Sequence, residues 1–323
     1  NLASLQDLSL VQNQFSGAIP PELGNLTNLE YLRLRNNHLT GSIPPTLGNL
    51  TNLRELELQT NSLTGTIPIE LGNLTNLEVL RMQSNELSGT LPSALGRWSN
   101  VRELDLSQNH LSGTIPSSFG GLSKVQSLFL QSNELSGTIP VNLGYLAKVQ
   151  KLYLYENHLN GAIPANLGNL ADLQELLLYD NHLSGPLPPE LRDLTNLRDF
   201  QAQNNTLSGP LPPELGNLTS LEILYLDHNR LEGTIPPELG NLTNLEELSL
   251  EYNHLSGDIP PELAQLSQLF DIRLGHNHLV VPDAESELAQ FLDGVNGSWG
   301  ADTQTEITRN YLPLIISVRV MVP

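Results

Sequence analysis

The chain has 323 residues, with 35 Asp and Glu against 15 Lys and Arg, a formal net charge of −20, and no cysteine. A surface of that sign repels phosphate backbones and anionic lipid heads, so nucleic acid and membrane surfaces are excluded as partners. With no Cys, no disulfide can staple any part of the fold.

From the start of the chain one phrase returns. "NQFSGAIPPEL" begins at Asn13, "NRLEGTIPPEL" at Asn229 and "NHLSGDIPPEL" at Asn253. Its Asn recurs every 24 residues from Asn13 to Asn277, 12 times with no insertion. A fixed short period is the signature of a solenoid, in which each unit buries its apolar face only against its neighbours. The expectation is one elongated domain over residues 1–282, about 12 repeats of 24 residues, followed by a C-terminal cap and tail over 283–323.

Each repeat opens on L-x-x-L-x-L, as at Leu245 to Leu250. The "LSL" of Leu248 to Leu250 alternates apolar and polar, which predicts a short strand with one buried face. Stacked in register, these strands form a parallel sheet along the concave side of an α/β solenoid. The Asn that follows is predicted to turn inward, where its amide can both donate to and accept from the backbone of adjacent turns. The Gly four residues later, such as Gly257, suits a tight bend, and "IP" suits an extended segment ending there.

The residues L-x-x-L-x-L-x-x-N-x-L-x-G-x-I-P resemble the plant-type leucine-rich repeat of receptor-kinase ectodomains and polygalacturonase inhibitors. The resemblance covers roughly residues 1–282. It implies a right-handed superhelix with a second short strand near "GxIP" and an extracellular or cell-surface setting. It does not choose a ligand, because the matching positions are structural ones. Plant members normally carry paired cysteines in caps, and none are present here. Either the sequence is a fragment, or it comes from a lineage that closes its solenoids without disulfides.

Taken from the N-terminus, the outward position between the two strand leucines runs Ser9, Arg33, Glu57, Arg81, Asp105. The alternating signs predict a ladder of cross-strand ion pairs. The column then changes to Phe129, Tyr153, Leu177, Gln201, Tyr225, and the next outward position adds Tyr155 and Tyr179. An aromatic and apolar group rimmed by Gln131, Lys151, Glu175, Gln201 and Gln203 has the anatomy of a recognition surface. Phe129, Tyr153, Tyr155, Leu177, Tyr179 and Tyr225 are therefore the candidate ligand-binding residues.

Six His residues, including His158 and His182, follow the ladder Asn directly. Gln14, Ser62, Glu86 and Arg230 occupy the same position, so this reads as a tolerant turn site rather than a set of metal ligands. "TGT" at Thr64–Thr66 and "SGT" at Ser88, Ser112 and Ser136 stack hydroxyls in a grid that an ice lattice could match, until Ala162, Pro186 and Pro210 interrupt it. The Asn-x-Ser/Thr sites at Asn25, Asn49, Asn73, Asn204, Asn217, Asn241 and Asn296 fall mostly in the repeat's own "GNLT".

After the last repeat, Asp283 is predicted to N-cap a short helix placing Leu288, Phe291 and Leu292 on one side, as an end cap requires. The tail resembles those of bacterial plant-type repeat proteins from filamentous Chloroflexi-like organisms. "YLPLIISVRVMV", Tyr311 to Val322, is too short to span a bilayer and contains Pro313 and Arg319.

No phosphate loop, dinucleotide fingerprint, zincin helix or nucleophile elbow occurs. The reading is a non-catalytic extracellular binding module, without cofactor or metal, that holds a peptide, protein or glycan on its concave face. The alternative is a structural or ice-interacting surface protein. Leu5, Leu8 and Leu10 open the first repeat without a neighbour before them, so self-association through that end is a further expectation.

Overall fold

The computed structural model describes residues 4–295 and 299. Backbone contacts divide the chain into two compact units, Asn1–Asn160 and Gly161–Pro323. The apolar tail from Tyr311 to Val322 and the sequon at Asn296 lie outside the described residues.

In the first unit, three-residue strands run from Asp7–Ser9 through Tyr31–Arg33, Glu55–Glu57, Val79–Arg81, Glu103–Asp105 and Ser127–Phe129 to Lys151–Tyr153. Successive strands within this unit pair in parallel 24 residues apart, Leu104 opposite Leu128 and Leu128 opposite Leu152. The period of the sequence is thus the register of the sheet. The central Leu of every strand but the first faces inward and is fully buried, as at Leu104 and Leu128, whereas Leu8 is half-buried. Each such side chain stabilises the fold by about 1.5–3 kcal/mol relative to exposure, before the entropy of ordering it is subtracted.

The Asn ladder is as expected. Asn133 donates through Nδ2 to Leu106 O (3.0 Å) and Leu130 O (3.1 Å), and its Oδ1 accepts from Leu111 N (3.0 Å). One amide therefore ties a repeat to its predecessor at two points. The residue before each ladder Asn adopts φ of 51–56°, whether it is Gln12, Thr60, Glu156 or Tyr252. This left-handed turn reverses the chain after the strand and carries no residue-type signature.

A second sheet includes His38–Ser42, Ser62–Gly65, Glu86–Thr90, His110–Gly113 and Glu134–Thr138. Here partners lie 22 residues apart, with Thr40 opposite Ser62 and His110 opposite Ser88. Equivalent hydroxyls of successive repeats therefore slide past one another by two residues, and the expected grid is oblique. The slip lets the Thr66 methyl nest over Gly89, where an added Cβ would come within 2.8 Å of it.

Five-residue 3-10 turns such as Pro45–Asn49 and Ser93–Arg97 close each repeat. Their glycines are set by crowding, since a Cβ on Gly96 would lie 2.6 Å from the Ser118 carbonyl carbon of the next turn. Trp98 takes a core Leu position, and its indole N–H donates to Leu71 O at 3.1 Å, as a fully buried indole requires.

The second unit repeats this plan. Its first-sheet strands are Glu175–Leu177, Asp199–Gln201, Ile223–Tyr225, Glu247–Ser249 and Asp271–Arg273, again paired 24 residues apart. The only α-helix among the described residues, Glu287–Gly294, packs on the 3-10 turn Pro261–Gln265 and buries Leu288, Ala289 and Leu292. Its N-cap is Ser286, which accepts from Ala289 N at 3.1 Å, and not the expected Asp283. Asp283 instead accepts from Ser286 N through its carbonyl, one turn too early to cap the helix.

Candidate ligand-binding surface

Side chains flanking the buried Leu of each first-sheet strand point away from the core. In the N-terminal repeats this face carries ion pairs, within the expected column between Glu57 and Arg81 and otherwise diagonal to it. Arg33 reaches diagonally to Glu55 (2.7 Å) and Asp7 (3.2 Å), and Arg35 takes Glu57 (3.1 Å). Arg81 bridges Glu57 (2.7 Å) and Glu103 (2.6 Å). The hydrogen bond from Arg33 holds the Glu55 carboxyl below its ordinary value, against the opposing effect of burial.

Asp105 departs from the expected ladder of ion pairs. Arg81 is already committed to two glutamates, and the next residue in the column is Phe129, so among the described residues Asp105 makes no ion pair, although the charge of Arg81 still acts on it. Its Oδ1 instead accepts from Ser107 N (3.0 Å) and Ser107 Oγ (2.6 Å). Burial pushes its pKa up and the charge of Glu103 adds to this, opposed by those two hydrogen bonds and by the charge of Arg81. It is 8% exposed.

Asp105, Phe129 and Tyr153 stand directly opposite one another on three successive strands. The Phe129 and Tyr153 rings are 4.7 Å apart between centroids and tilted by 45°, and Tyr153 and Tyr155 are 6.0 Å apart at the same tilt. All three are half-buried. Three of the six sequence-predicted residues thus form one aromatic cluster in the first unit. Asp105 and Ser107 adjoin it and were missed. The end of the sign alternation at Phe129, which leaves Asp105 with a charged neighbour on one side only, was the available signal.

The other three predicted residues lie in the second unit. Leu177 is 9% exposed and so offers little accessible area. Tyr179 follows it by two residues, and Tyr225 is separated from Leu177 by Gln201 in the register. The Tyr225 hydroxyl donates to Glu247. Nearby, burial pushes the Asp199 carboxyl up to about 6; the charges of Glu175, Glu247 and Glu222 add to this, and the hydrogen bond from Gln201 opposes it. Further along, His228, Tyr252 and His276 form a stacked column with centroids 4.3 and 4.0 Å apart. Among the described residues no group of three or more His, Asp or Glu converges as metal ligands, and no helix is long and apolar enough to cross a membrane.

Family profiles described as leucine-rich repeat region or leucine-rich repeat match residues 1–112, 124–146, 148–170, 172–194 and 219–279. No curated protein sequence matches the chain. Among solved structures, the Arabidopsis receptor kinase HAESA, in complex with the peptide hormone IDA and the co-receptor SERK1, is 34% identical. That match has a TM-score of 0.77 and covers 91% of this chain and 53% of the HAESA chain. A leucine-rich repeat protein of Leptospira interrogans is 30% identical over 94% of this chain and 80% of its own, with a TM-score of 0.67. A plant ice-binding protein is 31% identical over 76% of this chain and 80% of its own, with a TM-score of 0.63. The chain spans about half the length of the receptor it matches.

Proposed function

The chain belongs to the leucine-rich repeat family, with repeats of the plant type, and from that premise we propose that it is an extracellular, non-catalytic module that binds a peptide or protein segment on the outer face of its first sheet. One observation carries this reading. The Phe129, Tyr153 and Tyr155 rings cluster on a face otherwise occupied by paired charges, and the buried leucine core does not require them. Rigid aromatic side chains offer large contact area at low entropic cost, which is why they dominate recognition hot spots. HAESA, whose solved complex holds a peptide hormone, supports the class of ligand.

Selection from a phage-displayed peptide library tests the proposal. The wild-type chain should enrich a common peptide. A Tyr153→Ser, Tyr155→Ser double variant should lose that peptide while melting within a few degrees of wild type. A double variant that folds and keeps full affinity would place recognition elsewhere.

A second reading rests on the other sheet of the first unit. The methyls of Thr66, Thr90 and Thr114 each nest over the glycine of the next repeat, at Gly89, Gly113 and Gly137, so the three side chains repeat the same contact. The structural likeness to a plant ice-binding protein supports an ice-facing role for these threonines. Thermal hysteresis that disappears in a Thr66→Val, Thr90→Val, Thr114→Val variant would favour it, and no hysteresis in the wild type would dismiss it.

A further inference from the structure

The aromatic cluster has a chemically distinct border on one side. Across the sheet the order is Asp105, Phe129, Tyr153, so a carboxylate and two aromatic rings stand in one row on adjacent strands, about 4.8 Å from one to the next. That carboxylate has spare capacity. Both of its hydrogen bonds, from Ser107 N and Ser107 Oγ, arrive at Oδ1, leaving Oδ2 without a donor. The nearest cation along the column, Arg81, is held by Glu57 and Glu103. Lys151 lies on the far side, opposite Ser127 and two residues before Tyr153, so a cationic guest is directed toward Asp105 and away from it.

Next to the row, the Gln131 Oε1 is buried and accepts no hydrogen bond. The same is true of Gln59, Gln83 and Gln203, so this acceptor alone does not mark a site. The surface therefore offers one carboxylate oxygen without a donor and two ring faces.

We propose that this row is the specificity element of the binding surface and takes an arginine side chain of the bound peptide, its guanidinium lying over Phe129 and Tyr153 while its N–H groups donate to Asp105 Oδ2. The planar guanidinium meets both demands, because it stacks on aromatic faces and presents N–H donors at its edge. A Lys ammonium satisfies the charge and only part of the geometry. A neutral or acidic side chain leaves Asp105 buried and unpaired beneath it, which is costly. This assignment rests on the ligand-binding reading of the same face and adds the chemistry of the residue recognised.

The test uses hexapeptide pools with a fixed central residue (arginine, lysine or its neutral isostere citrulline) and measures binding to the full chain by fluorescence anisotropy. The arginine pool should bind best, and citrulline should weaken binding by about ten-fold to a hundred-fold, the range expected for loss of a charge-assisted contact. Asp105→Asn keeps an acceptor for Ser107 and should erase the preference for arginine over citrulline. Its melting temperature reports folding separately. If citrulline binds as well as arginine and Tyr153→Ser abolishes both, the aromatic surface is a binding site and the arginine assignment is wrong. If no pool depends on Tyr153, the binding reading itself fails.

Discussion

Replacing Asn133 by alanine removes one rung of the Asn ladder and leaves its partners stranded. Leu111 N loses its acceptor in a buried setting, at a cost of about 1–3 kcal/mol. The two Nδ2 hydrogens serve Leu106 O, Leu130 O and Gln131 O, and each is worth about 0.5–1.5 kcal/mol net. The sum is a loss of about 2–6 kcal/mol. Asn133→Asp should be worse than alanine, because it keeps the acceptor for Leu111 and turns an oxygen against three carbonyls. Asn13 supplies the control. Its Nδ2 donates only to Leu10 O and Val11 O, within its own turn, at an exposed position. Asn13→Ala should therefore cost less than about 1 kcal/mol. Urea unfolding followed by far-ultraviolet circular dichroism ranks the three. An Asn133→Ala loss no larger than that of Asn13→Ala, or an Asp variant more stable than the Ala variant, would refute the account of the ladder.

Three further outcomes are expected. Gly96→Ala places a methyl against the Ser118 carbonyl of the next 3-10 turn, so it should lower stability by about 1–3 kcal/mol, as overpacking does, measured by the same urea titration. Ala202→Leu should cost about 1–3 kcal/mol, because Ala202 and Phe200 are both fully buried and share one layer; a neutral result would reveal a void there. Asp199, with its folded pKa near 6, sits above the unfolded value of about 3.9. Its ionised form therefore destabilises the fold above pH 6, and that penalty fades as pH falls through 6 toward 4. Asp199→Asn should raise the melting temperature at pH 7 and leave it nearly unchanged at pH 4; equal gains at both would assign the effect to packing.

The sequence makes the repeat plan legible because the same constraint is written 12 times. The period of 24, the inward Leu positions and the Asn amides all follow from register alone. What escapes is whatever depends on backbone conformation or on close approach between turns. The left-handed residue before each ladder Asn can be Gln, Thr, Glu or Tyr, so no residue type announces it. The glycine of a 3-10 turn has no visible role until the next turn is seen against it, as at Gly96. In the candidate site, periodicity places Phe129 beside Tyr153. It does not reveal that Arg81 spends its two contacts on Glu57 and Glu103, and only that detail leaves Asp105 unpaired.

The ties of the Asn ladder reach 22 residues, from Asn133 to Leu111, or 27, from Asn133 to Leu106. Every step therefore closes a loop of nearly the same size, and the entropy of closure does not grow as steps are added. Relative contact order falls as such a chain lengthens, whereas in a closed sheet or barrel distant strands must find one another. Excising residues 109–132 would join Gln108 to Asn133 with every neighbouring tie still spanning one period, and would remove Phe129 without disturbing Tyr153's own turn. A fold of this kind lets the surface it displays be lengthened, shortened or rewritten one strand at a time while the route to the folded state stays the same.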